Sequence, residues 1–239
     1  MYNCQFWGVW EATNDAMLKL KEYTDSFHDN TYLYYCFEAM KELQKSIDWI
    51  CFHENDMDDD DIQVYERNYI ISLTTMLSRK GLTLPGLING EVAKSLDAGS
   101  SKAKEEYVKI KRMKNQEYSP NSCYVFPDFL IHESHSKEQD TWTKENQHII
   151  IEAKTKHIGD EQPFYLDFFK LNFYLKELNF ESAIYIIVRT SVSDIQKYLS
   201  KYETGVDYLS NEAFDNLFFF VQENLKSEPK IYKLIRELL

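Results

Sequence analysis

The stretch CYVFPDFLIHESHSKEQDTWTKENQHIIIEAKTKH, residues 123–157, decides the fold class of this chain. It contains two apolar runs, and charged residues follow each of them. The first run, Tyr-Val-Phe, leads into Pro127 and Asp128, and the second, Ile-Ile-Ile, leads into Glu152 and Lys154. Short apolar runs bounded by polar segments are typical of buried strands. Two such runs joined by a polar loop predict a β-hairpin.

The charged residues of this hairpin predict a site for a divalent cation. If the two strands pair, Asp128 and Glu152 come close together, and residues 152 and 154 share one face because side chains alternate along a strand. Two neighbouring carboxylates repel each other unless a cation lies between them. Mg²⁺ or Mn²⁺ suits oxygen ligands, and Lys154 adds a positive charge that can stabilise a phosphate. This combination indicates phosphodiester hydrolysis.

Pro127-Asp128 followed by Glu152-Ala153-Lys154 resembles the PD-(D/E)xK nuclease superfamily, the fold of type II restriction endonucleases. The resemblance covers roughly residues 60–190. It implies an α/β fold with a restriction endonuclease-like αβββαβ core. It also implies that Asp128 and Glu152 bind Mg²⁺ or Mn²⁺, that the Ala153 carbonyl is a further ligand, and that Lys154 positions the attacking water.

The expected function is therefore a Mg²⁺-dependent nuclease that hydrolyses phosphodiester bonds, with DNA as the expected partner and restriction or defence as the role that the resemblance suggests. Members of the family that cut both strands are often dimers, so a homodimer is also expected. The alternative is a nucleic-acid-binding or protein-interaction module of the same fold that does not cleave. Divalent-ion dependence distinguishes the two.

The segments around the hairpin complete the expected fold. Residues 159–180 predict a helix and residues 182–188 a strand. Helical spacing runs through residues 9–52, so residues 1–55 are expected to form an N-terminal helical portion. Residues 56–239 are expected to form the nuclease-like domain, in which residues 191–205 and 211–239 are C-terminal helices. The first core strand is expected within EYVKIKRM, residues 106–113, and residues 82–91 are expected to be a turn-rich connection.

A further acidic ligand is expected from the helix predicted over residues 61–81. Glu66 shares one face of this helix with an apolar stripe of Ile62, Tyr69, Leu73 and Leu77. Burying a carboxylate without a partner is costly, so Glu66 is expected to have a partner in the site. Many members of the superfamily supply an acidic ligand from their first core helix, which makes Glu66 a candidate metal ligand. The alternative is a Glu at the rim of the stripe that reaches solvent or pairs with Arg67 or Arg79.

Other polar side chains near the hairpin are weaker candidates. Asp167 and Lys170, on the helix after the hairpin, are expected to form an exposed pair three residues apart, although Lys170 could also contact a phosphate. His132 and His135 are expected to be exposed loop residues, and His157 could reach a substrate. A basic stretch is either a solvated face or a phosphate-contact surface; it contains Lys102, Lys104, Lys109, Lys111, Arg112 and Lys114.

Composition limits the remaining possibilities. The net charge of -12 argues against a protein that coats nucleic acid non-specifically, but it allows a local contact surface assisted by a metal. The four cysteines form no CxxC pair, and Gly-rich nucleotide-binding motifs are absent. No apolar run is long enough to span a membrane, so we expect no membrane association and a cytoplasmic location.

Overall fold

The computed structural model describes residues 16–24, 31–45, 51–52, 63–64, 66–79, 87–90, 94–113, 124–133, 146–202, 208–209, 211–224 and 227–238. These residues form six helices and eleven strands, with a 3₁₀ turn at Leu96–Ala98. In chain order they are β1 (Ala16–Glu22), α1 (Thr31–Lys45), β2 (Cys51–Phe52), β3 (Gln63–Val64), α2 (Glu66–Arg79), β4 (Leu87–Gly90), β5 (Lys94–Ser95), α3 (Ser101–Arg112), β6 (Tyr124–Val125), β7 (Phe129–His132), β8 (Gln147–Lys154), α4 (Glu161–Glu177), β9 (Ser182–Val188), α5 (Val192–Ser200), α6 (Asn211–Asn216), β10 (Leu217–Gln222) and β11 (Lys230–Leu238).

A seven-stranded mixed sheet forms the centre of the described fold, in the order β1-β11-β10-β9-β8-β7-β4. Strands β8, β9 and β10 are parallel to one another, and the remaining neighbours pair antiparallel. β7 pairs antiparallel with β8, so the hairpin predicted from this stretch is confirmed in part. The Tyr-Val-Phe run expected in its first strand instead contributes β6, which pairs with β5 in a separate two-stranded sheet. In this register Phe129 pairs with Ile151. The next residues along the two strands are Asp128 and Glu152, so the hairpin register brings these two residues together.

Helices cover both faces of the sheet. α1 and α2 pack on one face against alternate β8 residues such as Ile149 and Ile151. Helices α3 to α6 pack on the other face, where Ile150 belongs to the second apolar cluster. β8 and β9 are therefore buried on both faces, which explains why their sequences read as nearly continuous apolar runs. The mixed α/β class expected from the sequence is confirmed.

The helix and strand expected after the hairpin are also confirmed as α4 and β9. Asp160 caps the N-terminus of α4 by accepting a hydrogen bond from the Gln162 backbone N–H at 3.2 Å. Pro163 lies in the first turn, where a missing N–H has no helical cost. Buried residues surround almost the whole circumference of α4, because α3, α5 and the sheet enclose it.

Two predictions about the ends of the chain were wrong in part. Of the expected helix over residues 9–52, the described part forms strand β1, helix α1 and strand β2, and β1 pairs with β11 in the central sheet. Residues 9–15, 25–30 and 46–50 lie outside the described residues. The expected C-terminal helix over residues 211–239 corresponds to the short helix α6 followed by strands β10 and β11. β10 is buried along its whole length between β9 and β11, and a short apolar run of this kind suits an interior strand as well as a helix.

The first core strand was also predicted in the wrong place. Residues 106–113 belong mainly to helix α3, which Ser100 caps by accepting from the Ala103 backbone N–H. Within the expected turn-rich connection, Leu87–Gly90 forms β4, which pairs antiparallel with β7 at the edge of the sheet. Pairing with β7 outweighs the poor strand propensity of Asn89 and Gly90.

Among the described residues, no helix is both long enough and apolar enough to cross a membrane.

Candidate active site

Asp128 lies at a bend of the chain directly before β7. The backbone N–H of Ala153, on β8, donates a hydrogen bond to Asp128 Oδ2 at 2.6 Å. This bond fixes the Asp128 carboxylate against the end of the neighbouring strand. The carbonyl oxygen of the same residue, Ala153, lies 3.5 Å from Lys154 Nζ.

Glu152 lies near the end of β8 and its side chain is fully buried. It projects from the face that also carries Ile150 and Lys154, towards helix α4. Lys170 Nζ, from that helix, lies 2.6 Å from Glu152 Oε2. Glu152 Oε1 is buried and has no hydrogen-bond partner among the described residues. A buried carboxylate oxygen without a donor is unusual, because its loss of hydration is not compensated.

Lys154, two residues further along β8, contacts two acidic side chains. Its Nζ lies 3.0 Å from Asp167 Oδ2 and 3.3 Å from each carboxylate oxygen of Glu66. Asp167 also receives a hydrogen bond from the Tyr185 hydroxyl at 3.3 Å. Lys154 is therefore held between helix α4 and the first turn of helix α2.

The structure places Glu66 beside the hairpin, at the first residue of α2. Tyr69, Leu73 and Leu77 are buried, as the apolar stripe predicts. Ile62 lies outside the described residues. Glu66 pairs with Lys154, and no ion pair with Arg67 or Arg79 is present among the described residues.

The sequence interpretation missed the roles of Asp167 and Lys170. They do form the expected pair on one helix, with Lys170 Nζ 2.8 Å from Asp167 Oδ1, but this pair is not exposed to solvent. Only 17% of the Lys170 side chain and 6% of the Asp167 side chain are exposed. Each residue also contacts a residue of the predicted site, Glu152 or Lys154. The many apolar residues of this helix indicate that it is buried on several sides, but they do not show which of its charged residues face the site.

The pKa shifts follow the burial of these charges. Burial raises the pKa of Glu152 well above its ordinary value, and the charges of Asp167 and Asp128 raise it further against the opposing effect of Lys170. Burial also raises the pKa of Asp128 and of Glu66. For Asp167, burial is outweighed by Lys170 and Lys154, and its pKa is lowered.

The pKa values of Lys154 and Lys170 are raised, although burial alone would lower them. Burial alone lowers a lysine pKa, but Asp167 and Glu66 outweigh it at Lys154, and Glu152 and Asp167 outweigh it at Lys170. Both lysines are therefore held in the charged form. Four carboxylates and two ammonium groups leave two negative charges uncompensated when all six are ionised.

This donor set fits a divalent metal ion by its chemistry. The available donors are carboxylate oxygens, including Oε1 of Glu152, which has no partner among the described residues, and the Ala153 carbonyl oxygen, which lies 3.5 Å from Lys154 Nζ. Such hard oxygen donors suit Mg²⁺ or Mn²⁺, and one divalent ion matches the uncompensated charge. In this structure, Glu66, Glu152 and Asp167 form ion pairs with lysines. Among the described residues, no group of three His, Cys, Asp or Glu side chains is arranged so that it could hold a metal ion.

The predicted histidines and the basic stretch do not join this network. His132 was predicted to be an exposed loop residue, and this was wrong, because it is the half-buried last residue of β7 and pairs with β4 and β8. His135 lies outside the described residues. His157 is exposed, and its Nδ1 lies 3.3 Å from the Arg189 carbonyl oxygen. Lys104 of α3 pairs with Asp97 of the preceding 3₁₀ turn, and Lys109 pairs with Glu106 of the same helix. Lys114 lies outside the described residues.

A pocket of about 550 Å³ opens beside Lys154. It lies between the first turn of α2, the segment that follows β8 and the start of α4. Its lining residues are Glu66, Arg67, Lys154, Lys156, His157, Ile158, Gly159, Asp160 and Pro163.

Comparison with known proteins gives no match to a protein-family model, to a curated protein or to a solved structure.

Proposed function

We propose that this protein is a Mg²⁺-dependent nuclease, a hydrolase of the PD-(D/E)xK, restriction endonuclease-like type, that acts on DNA as an endonuclease. The observation that carries the proposal is the meeting of Asp128, Glu152 and Lys154 at the end of one hairpin, with a buried oxygen of Glu152 left without a partner. Such an arrangement of charges costs stability in an ordinary strand pair, but it suits a site that binds a metal and a phosphate.

The order of the elements supports the same interpretation. Helix α2, strands β4, β7 and β8, helix α4 and strand β9 follow the order αβββαβ along the chain. The four strands are neighbours in the sheet, in the order β4-β7-β8-β9. The short strands β5 and β6 and helix α3 are insertions between the first and second of these core strands.

In the proposed site, Asp128, Glu152 and the Ala153 carbonyl would hold the metal, and Glu66 would be a further ligand from α2. When bound, a divalent ion supplies Lewis-acid polarisation of the phosphate and favours deprotonation of a water molecule. Lys154 presents its ammonium group to the phosphate and to the attacking water. Asp167 orients that ammonium group, because its Oδ2 lies 3.0 Å from Lys154 Nζ.

Lys170 positions Glu152 in this scheme. Its Nζ lies 2.6 Å from Glu152 Oε2 and 3.3 Å from the Phe126 carbonyl oxygen, so one oxygen of Glu152 is fixed. The other oxygen, Oε1, is left to bind a cation. A fixed rotamer of this kind reduces the reorganisation that ligand binding requires.

Replacing Lys170 with methionine is expected to destabilise the metal-free protein by about 3–5 kcal/mol, because the buried Glu152 carboxylate loses its partner. Urea unfolding measures this loss. Adding Glu152→Gln to Lys170→Met should recover a large part of it, since the amide carries no charge that needs a partner. If the double variant is as unstable as the sum of the two single variants, Lys170 does not act through Glu152.

The alternative proposal is a module of the same fold that binds nucleic acid or a protein without cleaving. The lysine contacts favour it, because Lys170 and Lys154 already compensate part of the negative charge without a metal. Under this alternative, the protein binds its partner equally well with and without a divalent ion.

A cleavage assay with the purified full chain tests the proposed function. Supercoiled and linear DNA should be cut in Mg²⁺ or Mn²⁺, and EDTA should stop the reaction. Ca²⁺ should bind but support little turnover, because it coordinates more loosely. RNA substrates in the same assay test the choice of DNA. If neither DNA nor RNA is cut across these metals, the enzyme proposal fails and the binding module replaces it.

A further inference from the structure

The pocket beside Lys154 carries positive charge that the described residues do not compensate. Arg67 and Lys156 line it, and both side chains are exposed. Among the described residues, neither forms an ion pair or a side-chain hydrogen bond. The lining also contains two acidic residues, Glu66, which pairs with Lys154, and Asp160, which caps α4, so its three cations exceed its carboxylates by one positive charge. The positive charge of the pocket is therefore available to a ligand.

This charge is distinctive in an acidic protein. The chain has a net charge of -12, and general electrostatic attraction does not draw a polyanion to it. In the basic helix α3, Lys104 and Lys109 are paired with acidic side chains, whereas Lys102, Lys111 and Arg112 form no ion pair among the described residues, so α3 is a second surface that carries positive charge. The cations of the pocket flank Lys154, which the proposed mechanism assigns to the scissile phosphate.

The lining also offers apolar surface. Ile158, Gly159 and Pro163 form part of the wall, and space beside Gly159 is open, since nothing lies within 4 Å of the position where a Cβ would stand. His157 donates Nδ1–H to the Arg189 carbonyl, because a carbonyl only accepts, and this fixes the ring at the pocket rim. Cations beside apolar surface suit a sugar–phosphate chain, because the cations contact the phosphates and the C–H groups of the sugars can pack against the apolar wall.

We propose that this pocket binds the phosphodiester backbone of the nucleic-acid strand next to the scissile bond, with Arg67 and Lys156 as the phosphate contacts. This inference rests on the proposed function, since it assumes that the scissile phosphate lies beside Lys154. The binding contacts themselves need no metal. Arg67 can form two parallel hydrogen bonds to a phosphate, and Lys156 contributes a point charge.

Fluorescence anisotropy with labelled oligonucleotides in EDTA tests this proposal without cleavage. The probes are single-stranded DNA, duplex DNA and RNA of one sequence, titrated with the full chain between about 50 and 200 mM salt. Arg67→Ala/Lys156→Ala should raise the dissociation constant on the order of tenfold or more, because it removes two charged hydrogen-bond donors. A plot of the logarithm of the association constant against the logarithm of the salt concentration has a negative slope. This slope should become less steep by about 1.4 to 1.8, because each of the two cations contacts one phosphate.

Lys21→Ala/Arg79→Ala is the matched control, since it removes one lysine and one arginine elsewhere. Arg79 lies at the far end of α2, about 18 Å from Arg67 along the helix. Lys21 lies on β1, four strand spacings or about 19 Å from β8. Both residues are exposed, and this control should bind as the wild type does.

The outcomes separate this proposal from the proposed function. If the pocket variant binds as tightly as the control, or if the wild type binds none of the three probes, the pocket proposal is overturned. If the pocket variant binds weakly as expected while the wild type cuts nothing in Mg²⁺, the pocket stands and the nuclease proposal fails. The three probes identify the preferred strand type. Circular dichroism checks that the exposed substitutions leave the fold intact.

Discussion

Replacing Lys154 with methionine is expected to lower the rate of DNA cleavage by ~10²–10³-fold, the usual effect of removing a group that stabilises charge in the transition state. Binding of Mn²⁺ should stay at least as tight as in the wild type. The reason is that the substitution removes a positive charge from a cluster of carboxylates while the proposed metal ligands remain. Single-turnover cleavage and Mn²⁺ titration measure the two quantities separately.

The contacts of Lys154 determine how this experiment is designed. Its Nζ is close to Asp167 and Glu66, so its loss also lowers stability, and methionine keeps most of the side-chain volume. Lys176→Met is a matched control, because Lys176 lies on α4 and its Nζ donates to the Tyr208 carbonyl outside the site. Lys154→Met with wild-type cleavage would remove Lys154 from the mechanism. Loss of both metal binding and folding would indicate a structural role instead.

Replacing Glu152 with glutamine is expected to abolish cleavage and to raise the stability of the metal-free protein. The Glu152 carboxylate is fully buried, one of its oxygens has no described partner, and its pKa is raised. A raised carboxyl pKa means that ionisation at neutral pH costs stability, and the neutral amide removes that cost. Each kcal/mol gained should raise the melting temperature by about 2–4 °C.

Thermal unfolding with and without Mn²⁺ measures both parts of this expectation. The wild type should gain stability when Mn²⁺ is added, because the ion binds only the folded state, and Glu152→Gln should lose this gain. Glu106→Gln is the matched control, since Glu106 is a buried carboxylate on α3 outside the site. The control should keep both cleavage and the response to Mn²⁺. A Glu152→Gln variant that melts lower than the wild type in EDTA, and still responds to Mn²⁺, contradicts the account.

The central hairpin could be predicted because its sequence has few alternatives. β7 follows Asp128 and β8 carries Glu152, both are short apolar runs bounded by polar residues, and both lie in the interior of the sheet. The ends of the chain could not be predicted in the same way. β10 is an apolar run that suits a helix or a strand, and its pairing with β9 and β11 decides between them. β4 is short and lies at the edge of the sheet, where Asn and Gly weaken the pattern.

Part of the candidate site could likewise be predicted from the sequence, and part could not. Asp128, Glu152 and Lys154 lie in one stretch of sequence, so the pairing of two strands and the alternation of side chains along them predict that these three residues share a site. Asp167 and Lys170 come from a helix that packs on the sheet, and a pair three residues apart looks the same whether it faces solvent or the core. Only the packing of α4 on β8 and β9 reveals that this pair is buried against Glu152 and Lys154.

Anomalous diffraction from crystals grown with Mn²⁺ tests the central claim most directly, because it locates the metal independently of turnover. The account predicts a manganese peak bound by the carboxylates of Asp128 and Glu152, with the Ala153 carbonyl beside it, and no such peak in Glu152→Gln crystals. Wild-type crystals that show no manganese at these two carboxylates, at concentrations that support cleavage in solution, would contradict it.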